Sequence, residues 1–180
     1  MTTPKIIVVA IWLVFSAYWG LSAFRSKPGT RSWQGVPLRV LLAVALILLF
    51  SGVRAGSLDV HGTMLPVIGI VVLLCGVGFA VWARVHLGRN WGMPMTLKEE
   101  PELVTSGPYR FVRHPIYTGI LTAVIGTALA VNLLALVAAV ALGVFFVYSA
   151  TVEERNLATV FPSAYPAYRA RTKMLIPFVL

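Results

Sequence analysis

The sequence predicts an all-α, polytopic membrane protein with about five transmembrane helices. The last two form a short helical hairpin, and a cytoplasmic helical segment follows at the carboxyl terminus. Three observations carry this prediction. Hydrophobic residues make up 58% of the 180 residues and charged residues only 12%, against roughly a quarter in soluble domains. The apolar residues fall in long runs separated by short polar loops. Lys and Arg gather in alternate loops, which is how membrane orientation is written into a sequence.

Residues 6–24 form the first predicted span. The apolar stretch is too long for a secretory leader, only Lys5 precedes it, and no small-residue cleavage site follows. Residues 38–53, rich in Leu, form the second, and residues 66–83 the third. Gly69, Gly76 and Gly78 in the third suit close helix packing. Residues 116–149 are too long for one span. At ~1.5 Å per residue they would reach roughly 50 Å, against a hydrocarbon core of about 30 Å. They read instead as a hairpin turning near 131–133, at Asn132. Pro115 suits the first turn of the fourth helix, where its missing N–H has no intrahelical partner.

With these spans, one side receives Arg25, Lys27, Arg31, Arg39, Arg84, Arg89, Lys98, Arg110, Arg113, Arg155, Arg169, Arg171 and Lys173. The other receives Lys5 and Arg54. The amino terminus is therefore expected outside and the carboxyl terminus in the cytoplasm, in an integral protein of a plasma membrane, bacterial by expectation. Residues 1–180 read as one membrane domain, with amino-terminal spans in 1–84 and a functional core in 85–180.

Cys75 is alone in an apolar stretch, so neither a disulfide framework nor a thiolate metal site is expected. His61, His86 and His114 show no metal-ligand spacing. The net charge of +9 sits in the loops, where it reports topology and contact with anionic lipid headgroups rather than nucleic acid.

The chemistry gathers in two polar clusters. One, from Glu102 to Gly119, sets Tyr109, Arg110, Arg113 and His114 directly before an apolar run. The other, Glu153-Glu154-Arg155-Asn156, follows the next run. They bracket the hairpin and so meet on one side of the membrane. A helix starting at Pro115 presents free N–H groups beside Arg113 and His114, an arrangement suited to a small anion. Glu153 and Glu154 point about 100° apart on a helix. One is expected to face the site, and the other to face solvent or balance surface charge. Trp91, Tyr165 and Tyr168 read as interfacial anchors.

Four blocks together resemble the isoprenylcysteine carboxyl methyltransferase family and its phospholipid methyltransferase relatives: Gly107-Pro108-Tyr109, Arg113-His114-Pro115-x-Tyr117-x-Gly119, Glu153-Glu154-x-x-Leu157, and Phe161-x-x-x-Tyr165-x-x-Tyr168. The likeness covers about residues 85–178. It implies S-adenosylmethionine as methyl donor, held in a cytoplasmic pocket by Glu102, Leu103, Val104, Gly107, Tyr109, His114, Pro115, Tyr117 and Glu153. It implies Arg113, His114 and Glu153 as the catalytic set. Glu153 would suit the donor's ammonium, Arg113 and His114 its carboxylate, and Tyr109 or Tyr117 its sulfonium. The implied partners are membrane lipids and a lipophilic acceptor arriving from the bilayer. Two positions depart from the prenylcysteine pattern. Pro101 replaces a His, and Ser149 replaces a substrate-directed Arg. Two other readings remain open on sequence: a nicotinamide-dependent membrane reductase of the sterol reductase type, and a small non-enzymatic membrane protein.

Overall fold

A computed structural model describes residues 3–24, 29–30, 58–92, 97–98 and 101–177. Its helices are α1 (Thr3–Ala23), α2 (Met64–Leu87), α3 (Pro115–Ala130), α4 (Ala135–Val160) and α5 (Ala164–Arg171). Tight helical turns occupy Gly88–Asn90 and Gly107–Arg110. Extended pairing among the described residues is limited to β1 (Gly29–Thr30) against antiparallel β2 (Leu97–Lys98) and two single bridges. The expected second span, residues 38–53, lies outside the described residues.

Three described helices, α1, α2 and α4, are long and apolar enough to cross a membrane. Helix α3 is the exception. Its 16 residues extend only about 24 Å, short of a ~30 Å hydrocarbon core. It is the central element, with α1, α2 and α4 packed around it, and most of its residues are buried. The hairpin turn falls at 131–134, where the sequence placed it. Asn132 makes it: its Oδ1 accepts from the Leu134 N–H at 2.8 Å, a side chain standing in for a backbone turn. Helix α4 then runs on past Ser149 to Val160, so Glu153 and Glu154 belong to the spanning helix itself.

Helices α2 and α3 meet backbone to backbone. A Cβ on Gly69 would stand 2.3 Å from the Ala130 nitrogen, and one on Gly126 2.3 Å from the Leu73 nitrogen. Gly76 and Gly119 would meet Ala123 and Ala80 at 2.4 and 2.6 Å. The small positions 69, 76, 80 and 83 on α2 and 119, 123, 126 and 130 on α3 recur every three to seven residues, so each set makes one stripe. In lipid, water expulsion does not drive helices together, and close approach of this kind supplies the attraction. Among the described residues, nothing lies within 4 Å of a Cβ on Gly78. On the other flank the Trp12 indole donates to Thr127 Oγ1 at 2.9 Å, tying α1 to α3.

Polar groups sit at two opposite ends. At one, Lys5 pairs with Asp59 at 3.5 Å, and Asn132 Nδ2 donates to Asp59 Oδ1 at 2.6 Å. At the other, Arg84 Nη2 reaches back to the Ser22 carbonyl at 2.6 Å, beside the loop that enters α3.

Candidate active site

The site forms where α3 begins. The 107–110 turn needs its glycine for the backbone, since Gly107 has φ +58°, and the His86 ring packs over the place a Cβ would take. His86 Nε2 and Ser106 Oγ, 2.9 Å apart, hold the same turn against α2. Pro115 then starts α3, with His114 as the residue before the first helical turn. The carboxyl-terminal segment lies alongside. The N–H groups of Arg113 and His114 donate to the Lys173 and Met174 carbonyls at 2.8 and 3.1 Å. Thr118 Oγ1 donates to Leu175 O at 2.6 Å.

His114 lies between the two carboxylates. Its Nδ1 is 3.4 Å from Glu153 Oε2 and its Nε2 3.3 Å from Glu154 Oε1. An ionised carboxylate only accepts hydrogen bonds, so both ring nitrogens are called on to donate, which only the imidazolium does. Burial opposes that charge, but hydrogen bonds to Glu153 and Glu154 outweigh it and hold the His114 pKa above its ordinary 6.5. The ring stacks on Tyr117 at 5.5 Å, and Tyr117 stacks on Phe146 at 4.2 Å. The Tyr117 hydroxyl donates to Glu153 Oε1 at 2.5 Å.

Glu154 is not the surface carboxylate the sequence led us to expect. Its side chain is 5% exposed, against 24% for Glu153. It accepts from Arg113 Nε at 2.7 Å and faces Arg169 Nε of α5 at 3.6 Å. The physical reason is the continuous α4. The ~100° step between the two residues turns Glu153 towards Tyr117, while Glu154 points at the 112–114 loop and α5. Arg113 also donates through Nη1 to the Thr172 and Arg169 carbonyls. Arg113 and His114, expected to hold a ligand's carboxylate, already hold carboxylates of the chain.

A cavity of about 310 Å³ opens over this cluster. Of the residues singled out by sequence, Glu102, Leu103, Val104, Tyr109, Arg113, His114, Tyr117 and Glu153 line it. Gly107 and Pro115 do not; they shape the turn and the helix start beneath it. Trp91, Tyr165 and Tyr168 are a correction: they are buried lining residues, not interfacial anchors. Helix α5 folds back over the cavity, and the Tyr168 hydroxyl donates to Tyr109 O at 2.7 Å. Burial pushes the Tyr168 hydroxyl up to about 12, and burial with the nearby Glu154 charge pushes Tyr165 up as well, so both stay neutral. The Tyr165 hydroxyl is buried without a hydrogen bond of ordinary geometry. Trp91 sits under the Arg84 guanidinium at 4.5 Å and meets Trp19 edge-on at 5.7 Å.

Trp19, Asn90, Phe146 and Asn156 also line the cavity, and sequence reasoning did not single them out as ligand contacts. Asn156 stood beside the carboxylate pair, one turn after Glu153, and that spacing was a usable signal. Trp19 carried none, since only the tertiary fold brings α1 to the site.

Residues 64–164 match the phospholipid methyltransferase family. The cobalt-zinc-cadmium resistance protein CzcN of Cupriavidus metallidurans is 32% identical over 161 residues, covering 88% of this chain and 69% of the relative. Protein-S-isoprenylcysteine O-methyltransferase B of Arabidopsis thaliana is 30% identical over 115 residues, 62% of this chain and 58% of the relative. The Saccharomyces cerevisiae protein-S-isoprenylcysteine O-methyltransferase is 30% identical over 135 residues, 73% and 56%. The chain thus spans less than two thirds of these two methyltransferases. The matched region contains α2, α3 and α4 and the His114–Glu153–Glu154 cluster, and on these grounds the chain belongs to the phospholipid methyltransferase family, with isoprenylcysteine methyltransferases among its relatives.

Proposed function

We propose that the chain transfers a methyl group from S-adenosylmethionine to a lipophilic acceptor at the cytoplasmic face of a membrane. The observation that carries this is the cavity: aromatic walls, a carboxylate facing in, and a buried acceptor on Asn90 in want of a partner, at the end of helices apolar enough to span a bilayer. The donor's chemical features find counterparts here. Glu153 suits its ammonium. The aromatic rings of Trp19, Trp91 and Phe146 in the cavity wall suit a flat base or an onium cation. Asn90 Oδ1, buried without a hydrogen-bond partner, offers unused accepting capacity. The donor supplies an electrophilic methyl group.

The chain's own residues position and desolvate. Arg113 and His114 hold Glu154 and Glu153 in place, and α5 screens the cluster from water. Ser149, which stands where the prenylcysteine pattern has an Arg, is wholly buried in α4 and does not line the cavity. The acceptor's polar group is therefore not met by a cation at that position.

In detergent, S-adenosylhomocysteine should raise the melting temperature progressively as its concentration exceeds its Kd, and a reduced nicotinamide dinucleotide should not. Stabilisation by the dinucleotide alone would overturn the reading. The cytoplasmic placement rests on the uneven distribution of Lys and Arg. Reporter fusions at His61 and Leu180 should report opposite sides, and agreement between them would refute the topology.

A further inference from the structure

The turn after α2 carries a buried acceptor that the fold leaves unused. Gly88, at φ +57°, ends α2, and Arg84 clamps the turn through Nη1 to Gly88 O at 2.8 Å while its guanidinium lies over Trp91. Asn90 follows in this turn and lines the cavity. Its Nδ2 donates to Glu102 Oε2 at 3.2 Å. That contact decides which way the amide faces. A carboxylate only accepts, so a flipped amide would set oxygen against oxygen. Asn90 Oδ1 is consequently turned away from Glu102, and it is buried with no hydrogen-bond partner.

We infer that Asn90 is a ligand-binding residue whose Oδ1 accepts a hydrogen bond from the nucleoside half of the methyl donor. This rests on the donor reading above and deepens it. The amide oxygen is neutral, so it matches a neutral O–H or N–H. A ligand's ammonium is drawn instead to the carboxylate of Glu153. The lining shared with Asn90 is also suited to a flat, weakly polar base, since Leu87, Trp91, Leu103 and Val104 belong to the same wall. A buried acceptor that gains its partner only on binding places that hydrogen bond wholly in the affinity. Glu102 is a positioning residue here, setting the amide's orientation.

Titration calorimetry in detergent tests this with two ligands. S-Adenosylhomocysteine carries nucleoside and amino acid, whereas 5′-methylthioadenosine keeps the nucleoside and thioether and lacks the amino acid. Asn90→Leu, close in shape, should weaken both ligands by the same factor, roughly three- to tenfold. Asn90→Ala, which removes the oxygen without adding branching, should do likewise. Glu153→Gln should weaken S-adenosylhomocysteine alone. An unchanged ratio of the two affinities in the Asn90 variants shows that the amino-acid end is still assembled. Affinities untouched by both Asn90 variants, or a loss confined to S-adenosylhomocysteine, would overturn the assignment while leaving the donor reading standing. Failure of the unaltered protein to bind S-adenosylhomocysteine would overturn the donor reading and this assignment with it.

Discussion

Helix α3 has two neighbourhoods governed by different physics. Along its length against α2 there is no room: Gly119, Gly126, Gly69 and Gly76 let main chains touch, and no charged group intervenes. At its amino-terminal end the contacts are ionic: Arg113, His114, Glu153, Glu154 and Arg169 form one linked set. The first region is specified by the absence of side chains, the second by their charges. Errors in the first should therefore act on folding, while errors in the second divide between folding and ligand binding according to burial.

The largest effect is expected in the seam. Gly126→Leu requires the α2 and α3 backbones to separate, because even a Cβ would stand 2.3 Å from Leu73 N. Overpacking ordinary cores costs about 1–3 kcal/mol, and backbone contact leaves nothing to repack, so loss of folded protein is expected. Gly78→Leu, whose Cβ meets no described residue within 4 Å, should stay within about 0.5 kcal/mol. Size-exclusion profiles and thermal melts in detergent separate the two. Equal behaviour would mean that the seam does not hold α3.

Next in size is the carboxylate pair. Neutralising Glu154 leaves Arg113 buried against an uncharged partner, and breaking such a pair typically costs about 3–5 kcal/mol. Glu154→Gln should accordingly lower the melting temperature sharply. Glu153→Gln, at a side chain 24% exposed, should cost less stability than Glu154→Gln, and its main effect should fall on donor affinity, on the order of 1.5–3 kcal/mol, or roughly tenfold to hundredfold. This keeps the sequence-based expectation for Glu153 and departs from it for Glu154, the carboxylate left to face solvent or balance surface charge. A Glu154→Gln protein as stable as its parent would show that the buried network is not needed for folding.

The smallest effect is the pH dependence of the same cluster. His114 binds its proton more tightly in the folded protein than in the unfolded chain, its pKa being raised above 6.5. The stability this lends is complete below about pH 6.5 and drains away as pH rises through the higher folded value. Melting temperatures should fall on going from pH 6 to 9, and the slope should flatten in His114→Ala. A parent protein whose stability rises over that window would contradict the imidazolium assignment.

Much of the frame was legible from sequence because lipid imposes simple rules. Span length follows from bilayer thickness, and the break at Asn132 follows from a run too long to be one helix. Pro115 marks a helix start because it cannot donate an N–H. Gly69 and Gly76 announced close packing, though nothing in the sequence told them from Gly78. That distinction depends on which face of α2 meets α3, which local pattern alone does not settle in an all-apolar helix.

The site was legible as a set of residues and not as an arrangement. The order of Tyr109, Arg113, His114, Tyr117 and the Glu pair was enough to draw them together. Which carboxylate is buried was decided by α4 continuing unbroken to Val160, and by α5 and the carboxyl-terminal segment closing over the 112–114 loop. Tyr165, Tyr168 and Trp91 look alike in sequence whether they sit at a headgroup layer or in a cavity wall, since an aromatic ring with a polar edge suits both. The sequence by itself determined a helical membrane frame and gathered the reactive groups at one end of it. Only the tertiary structure decided their division of labour. Burial and hydrogen-bond direction belong to elements distant in the chain, and they are settled only when α1, α4, α5 and the carboxyl-terminal segment close around α3.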